Sequence, residues 1–272
     1  MKLHVEDSGQ GAPVLLLHSS GLSGRQWRRL ASALVEHGTR AVVPDLTGHG
    51  KSPEWPEPRP FSFDVDVEEV VELLGSLDTP AHLVGHSYGG FLALLVTLAV
   101  PGRVRSLVLY EPVAFGVLDR TADADALDDL RRVPLTWDAL SDRNEQWLAA
   151  FVDYWGGPGA WGALREDARN EFRRVAWVLY RGVNTLATDR TPAAAYAAIR
   201  CPVQLMTGEQ STVAAHRVVQ RLGEVLPGTR TVVVPHVGHM GPLTHADAVN
   251  PSILDWVTAC CATPSPSPSS GA

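Results

Sequence analysis

Ser87 lies between two glycines in Gly85-His86-Ser87-Tyr88-Gly89, a G-x-S-x-G pentapeptide. An apolar run, residues 81–84, precedes it, and a helical segment opens at Gly90 behind it. A strand that turns sharply into a helix strains the residue at the turn and holds its side chain clear of both elements. The glycines let neighbouring backbone pass close, and the helix N-terminus favours negative charge developing at the serine. A serine in this place can also serve only as a helix cap, but capping explains neither flanking glycine. Such a hydroxyl is suited to nucleophilic attack, and it needs a base to take its proton.

An imidazole, with an ordinary pKa of about 6.5, can take and return a proton near neutrality. His239, in Gly238-His239, follows the apolar run 231–234 by a short loop. His236 and His245 compete with it. His236 stands between a proline and a valine nearer the strand end and reads as structural; His245 falls at the start of the last helix. His18, His49, His82 and His86 read as packing or loop-bonding residues, because histidine is commonly half-buried.

The elements that must position these groups alternate. Apolar runs at 3–7, 14–17, 40–44, 81–85, 104–110, 203–207 and 231–234 read as strands. Between them, residues 25–37, 64–77, 90–100, 212–226 and 247–261 have helical spacing or lie between strands as helices do. That rhythm predicts βαβ units and an α/β fold with a mostly parallel central sheet flanked by helices. From 113 to 189 the pattern is helical throughout and rich in aromatics: Trp137, Trp147, Phe151, Tyr154, Trp155, Trp161, Phe172 and Trp177. This stretch reads as an inserted helical cap. About two thirds of its aromatics are expected to pack, and a minority to line an apolar pocket. Gly156-Gly157-Pro158-Gly159 should break the cap between its helices. The core is therefore expected at 1–112 and 190–262, the cap at 113–189, and a low-complexity, disordered tail at 263–272.

The Gly-His-Ser-Tyr-Gly-Gly turn resembles that of the α/β-hydrolase superfamily. So do Leu17-His18, the loop Pro44-Asp45-Leu46-Thr47-Gly48-His49-Gly50-Lys51-Ser52 and Gly238-His239. The resemblance covers residues 1 to about 260 in order. It implies the α/β-hydrolase fold with a cap after the sixth standard strand, and a triad of Ser87, an acid and His239. It also places His18 and His86 near the site. Only one short strand precedes Val14, so the usual opening hairpin is shortened here.

By the same resemblance, the oxyanion hole takes one backbone N–H from Tyr88 and another from Ser20. This chain has His18-Ser19-Ser20-Gly21 where relatives usually carry His-Gly. The acid is a second departure. Relatives place an aspartate three residues after a glycine beyond the strand at 203–207, but Ser211 stands there, and a serine cannot supply charge. Two replacements remain. Glu111 ends the strand 104–110, at the strand end where haloalkane dehalogenases place their acid. Glu209 lies in the usual acid loop but two residues early. Glu111 is preferred, since a misplacement of roughly 1 Å is already costly in a triad.

A serine rather than an aspartate at the turn excludes the alkyl-enzyme chemistry of epoxide hydrolases and dehalogenases. It favours an acyl-enzyme and a small carboxylic ester or related acyl substrate. A carbon–carbon bond hydrolase, a cofactor-free cyclase and a non-catalytic small-molecule receptor remain alternatives on the same scaffold. No cofactor or metal is expected. The formal net charge of -7 argues against nucleic acid or an anionic membrane as partner. The expected partner is an apolar or aromatic acyl compound, with a homodimer left open. Cys201, Cys260 and Cys261 form no disulfide framework or CxxC ligand pair, and MKLHVEDSGQ has no apolar signal core. A cytoplasmic location is expected.

Overall fold

A computed structural model describes residues 2–56, 59–134 and 143–262. The seven-stranded sheet runs in the order β1-β3-β2-β4-β5-β6-β7. Its strands are β1 (Val5–Gly9), β2 (Pro13–Leu17), β3 (Arg40–Pro44), β4 (Ala81–His86), β5 (Val104–Tyr110), β6 (Val203–Gly208) and β7 (Arg230–Val234). β1 is antiparallel to β3; every other pair is parallel. β1 begins two residues later than the run 3–7, because pairing of Val5 with Pro44 and Gly9 with Arg40 sets its register.

The central strands are apolar on both faces, and the strand period of two sorts them. Leu15, Leu17, Leu83, Leu107, Leu109 and Leu205 face one core. That core is shared with α2 (Phe63–Gly75) and α3 (Tyr88–Ala99). Val14, Leu16, Val84, Val108 and Met206 face the other, against Leu30 and Leu34 of α1 (Arg28–Glu36). α2 starts where Ser62 caps it, accepting the Asp64 N–H at 3.2 Å.

Between β5 and β6 the described residues form helices joined by turns, with no strand among them: α4 (Ala124–Leu130), α5 (Arg143–Gly156), α6 (Ala160–Ala163) and α7 (Glu166–Thr188). α5 ends at Gly156 and α6 begins after Gly159, so the glycine-rich stretch separates these two helices. Trp147, Tyr154, Trp161 and Phe172 pack together in one cluster, and Trp177 packs against Trp55. Trp137 and the tail at 263–272 lie outside the described residues. The chain then returns through α8 (Ala193–Tyr196), and α9 (Val213–Val225) follows β6. A short α10 (Gly241–Thr244), not anticipated from the sequence, precedes α11 (Ala246–Ala262), whose Val249, Ile253 and Val257 complete the second core.

Candidate active site

β4 ends at His86 and α3 begins at Tyr88, leaving a single residue for the turn. Ser87 makes that turn with φ 55° and ψ −116°. Only small neighbours permit it: a Cβ on Gly85 would meet the Gly89 carbonyl, and one on Gly89 the Leu17 carbonyl. The Ser87 N–H donates to the Tyr110 carbonyl at 2.9 Å, which ties the turn to β5. Its hydroxyl makes no hydrogen bond among the described residues and borders a cavity of about 510 Å³. The expected helix start at Gly90 is two residues late, because the helix begins immediately behind the serine.

Glu111 also has positive φ, 46°, and precedes Pro112. Such backbone costs on the order of 1–3 kcal/mol in a non-glycine residue and persists where its surroundings hold it. Here they do. Glu111 is 1% exposed, yet its carboxylate accepts four hydrogen bonds. Oε1 accepts from the Thr207 hydroxyl at 2.8 Å and the Gly208 N–H at 2.7 Å. Oε2 accepts from the Ser211 hydroxyl at 2.6 Å and from His239 Nδ1 at 2.6 Å. Burial pushes the Glu111 carboxyl up, but the bond and charge of His239, with Ser211 and Gly208, outweigh it and hold it below the ordinary range. The serine in the vacated acid position thus hydrogen-bonds a carboxylate arriving from the neighbouring strand.

With Nδ1 donating to Glu111, His239 keeps the Nε2 lone pair available to accept a proton. Trp155 of α5 lies over this imidazole, ring centroids 4.0 Å apart. Glu209 is elsewhere: it accepts the His236 N–H at 2.9 Å on an exposed surface. His245 is exposed and pairs with the Thr244 hydroxyl. The structure therefore brings Glu111 and His239 together and leaves Glu209, His236 and His245 outside that contact.

A buried relay joins the loop of His239 to the loop of Ser20. His86 Nε2–H donates to the His239 carbonyl at 2.9 Å, and Gln26 Nε2 donates to His86 Nδ1 at 3.1 Å. Gln26 Oε1 accepts the Ser19 N–H at 3.1 Å. Burial drives the His86 pKa well down, so the ring is neutral, as this pattern requires. His18 Nε2 accepts the Leu46 N–H at 2.9 Å, and His49 Nε2 accepts the Gly21 N–H at 3.2 Å. Both rings brace the Ser20 loop in the neutral form, His49 with its pKa pushed down to about 3 by burial first and by His18 second. Ser20 borders the same cavity as Ser87, and its N–H makes no hydrogen bond among the described residues. Tyr88 opens α3, where an N–H has no partner within the helix. The Tyr88 hydroxyl is turned away, donating to buried Asp66 at 2.8 Å.

Sequence reasoning missed the contacts of Gln26, Asp66, Thr207 and Trp155. Phe115, Phe151 and Trp155 are the aromatics that border the cavity. Among the described residues, no group of three or more His, Cys, Asp or Glu is placed to hold a metal ion. No helix among them is long and apolar enough to cross a membrane.

A serine on a strained strand-to-helix turn, with an acid from the end of β5 meeting an imidazole from the loop after β7, is an arrangement found in α/β-fold hydrolases. The alpha/beta hydrolase family matches residues 14–251, and this chain belongs to it. It is 31% identical over 251 residues to the pimeloyl-[acyl-carrier protein] methyl ester esterase of Chromobacterium violaceum, covering 90% of this chain and 94% of that protein. It is 36% identical over 154 residues to lipase LipV of Mycobacterium tuberculosis, a match spanning 56% of each. Among solved structures, the esterase EaEST of Exiguobacterium antarcticum superposes with a TM-score of 0.72 at 21% identity, over 94% of this chain and 95% of that one. This last likeness concerns the fold.

Proposed function

We propose that the chain is a serine hydrolase that cleaves a small carboxylic ester or related acyl compound through an acyl-enzyme intermediate. The observation that carries this reading is the buried Glu111–His239 contact of 2.6 Å beside the strained turn of Ser87. In this mechanism His239 Nε2 takes the Ser87 proton as the hydroxyl attacks the acyl carbon. Glu111 holds the productive tautomer and stabilises the imidazolium. The Ser20 and Tyr88 N–H groups receive the oxyanion, and the imidazolium then protonates the departing alcohol. Water deacylates the serine by the same steps. The cavity wall, with Phe115, Leu118, Leu130, Phe151 and Trp155, suits an apolar or aromatic acyl group.

The reading is tested by reaction with a fluorophosphonate probe and by turnover of short p-nitrophenyl esters, each compared with Ser87→Ala. Labelling and turnover that both vanish in the variant are expected. Turnover that survives in Ser87→Ala removes the serine from the mechanism, and a chain that neither labels nor turns over is a binding protein on this scaffold.

A further inference from the structure

The cavity at Ser87 changes character along its length. Its floor holds Ser87, 6% exposed, and its middle is apolar. Arg120, Arg131 and Arg190 border the same cavity, and all three are exposed. Asp189 is the one carboxylate bordering it among the described residues. In a chain of formal net charge -7, the sign at this mouth is reversed.

Exposed arginines are common, so what matters is whether these guanidiniums are already engaged. Arg131 is, by an ion pair to Asp128. Arg190 donates only to backbone carbonyls, of Ala187 at 3.1 Å and Asp189 at 2.7 Å. Arg120 has no hydrogen-bond or ion-pair partner among the described residues. The nearby acids are occupied elsewhere. Asp119 accepts the Thr121 and Ala122 N–H groups, and Asp123 holds Arg217 and Arg221. Asp129 takes Arg132 and the Tyr154 hydroxyl. Asp189 accepts the N–H and hydroxyl of Thr191 through Oδ1, while its Oδ2 is buried without a hydrogen-bond partner among the described residues and makes no ion pair with either arginine. Among the described residues, Arg120 is thus left without a partner and Arg190 without a carboxylate partner, at the exposed end of a largely apolar cavity.

The geometry points to a substrate whose apolar chain ends in an oxyanion, a carboxylate or phosphate, held by Arg120 and Arg190 while its ester lies at Ser87. The inference rests on the acyl-enzyme reading of Ser87. Guanidinium forks match carboxylate and phosphate geometry, and charge-assisted bonds are the strong ones. The apolar middle enforces direction. An anion dragged into it loses its hydration without a partner, so the charged end stays at the mouth and the ester goes inward. Chain length follows: a charged ester too short to reach both ends is a poor substrate, whereas an uncharged one is not penalised in that way.

The experiment compares p-nitrophenyl esters of matched length carrying ω-carboxylate, ω-phosphate or ω-methyl ends, in the full chain, in R120Q/R190Q and in R200Q, which alters an exposed arginine that does not border the cavity. The readout is the kcat/KM ratio of charged to uncharged ester within each protein, which is insensitive to the amount of folded enzyme. Expected is a ratio of about tenfold or more at low salt, shrinking in 1 M salt, as roughly 3 Å screening requires. It should fall to near one in R120Q/R190Q and persist in R200Q. The better of the two anions identifies the headgroup. A ratio at or below one in the unmodified chain, or one unchanged in R120Q/R190Q, overturns the inference. If no ester is turned over, the acyl-enzyme reading fails by itself. The same ratio is then read from calorimetric Kd values of a dicarboxylic acid monomethyl ester and its equal-length dimethyl ester, and the same thresholds support or overturn the inference.

Discussion

Replacing Glu111 by Gln changes one atom and should cost most of the activity. Its Oε1 contacts survive, because the amide oxygen still accepts from Thr207 and Gly208. The other atom now donates, and it faces two groups that themselves donated, the Ser211 hydroxyl and His239 Nδ1. A hydroxyl can rotate and accept instead. The imidazole can accept at Nδ1 only by moving its proton to Nε2, which is the wrong tautomer for taking a proton from Ser87. The equivalent neutralisation in serine triads lowers kcat about 10⁴-fold, or about 5.4 kcal/mol in the barrier. Since the side chain keeps its shape, KM should change little and the far-ultraviolet circular dichroism should be unaltered. The assay is steady-state hydrolysis of p-nitrophenyl acetate, with Glu209→Gln in parallel. Glu209 is exposed and engaged with His236, so that variant should stay within about twofold of the unmodified chain. Glu111→Gln retaining more than about one per cent of kcat, or an inactive Glu209→Gln beside it, would refute the reasoning.

Three further outcomes are expected. His49 and His82 have pKa values pushed down from 6.5 to about 3 and about 4, in both cases mainly by burial. Unfolding lets them protonate, so their contribution is whole above pH 6.5 and is lost as pH falls toward those values, by about 1.4 kcal/mol per pH unit for each ring. Urea denaturation at pH 6 and pH 5 should show this slope, and His82→Gln should reduce it by one histidine's share. Tyr88→Phe leaves buried Asp66 without the hydroxyl at 2.8 Å and should cost roughly 1–3 kcal/mol, a drop of several degrees in Tm by calorimetry. Gly89→Ala puts a methyl group into the Leu17 carbonyl at the base of the turn and should cost at least about 1–3 kcal/mol, read as lost soluble yield or a lowered denaturation midpoint.

Ser87 was legible because the constraint on it is local: five consecutive residues must make the turn, and two of them must be glycine. His239 was legible from its place after the last strand. Glu111 was reached only because Ser211 could not carry charge, and the structure adds why that position still matters, through a hydroxyl 2.6 Å from the carboxylate. The relay from His239 through His86 and Gln26 to Ser19 left no trace in the sequence. Gln26 and His86 stand 60 residues apart, and their meeting depends on β2 and β4 lying side by side in the sheet. Trp155 is visible in the sequence as one of a stripe of aromatics, but which member of the stripe reaches the imidazole depends on how α5 packs against the loop after β7.

Covalent chemistry at the Ser87 hydroxyl is observed directly by intact-mass spectrometry after rapid acid quench. With a p-nitrophenyl ester in excess, a species heavier by one acyl group should form within the first turnover, and digestion should place the added mass on Ser87. Turnover without that species, or acyl mass on another residue while Ser87 stays unmodified, would rule out Ser87 as the nucleophile.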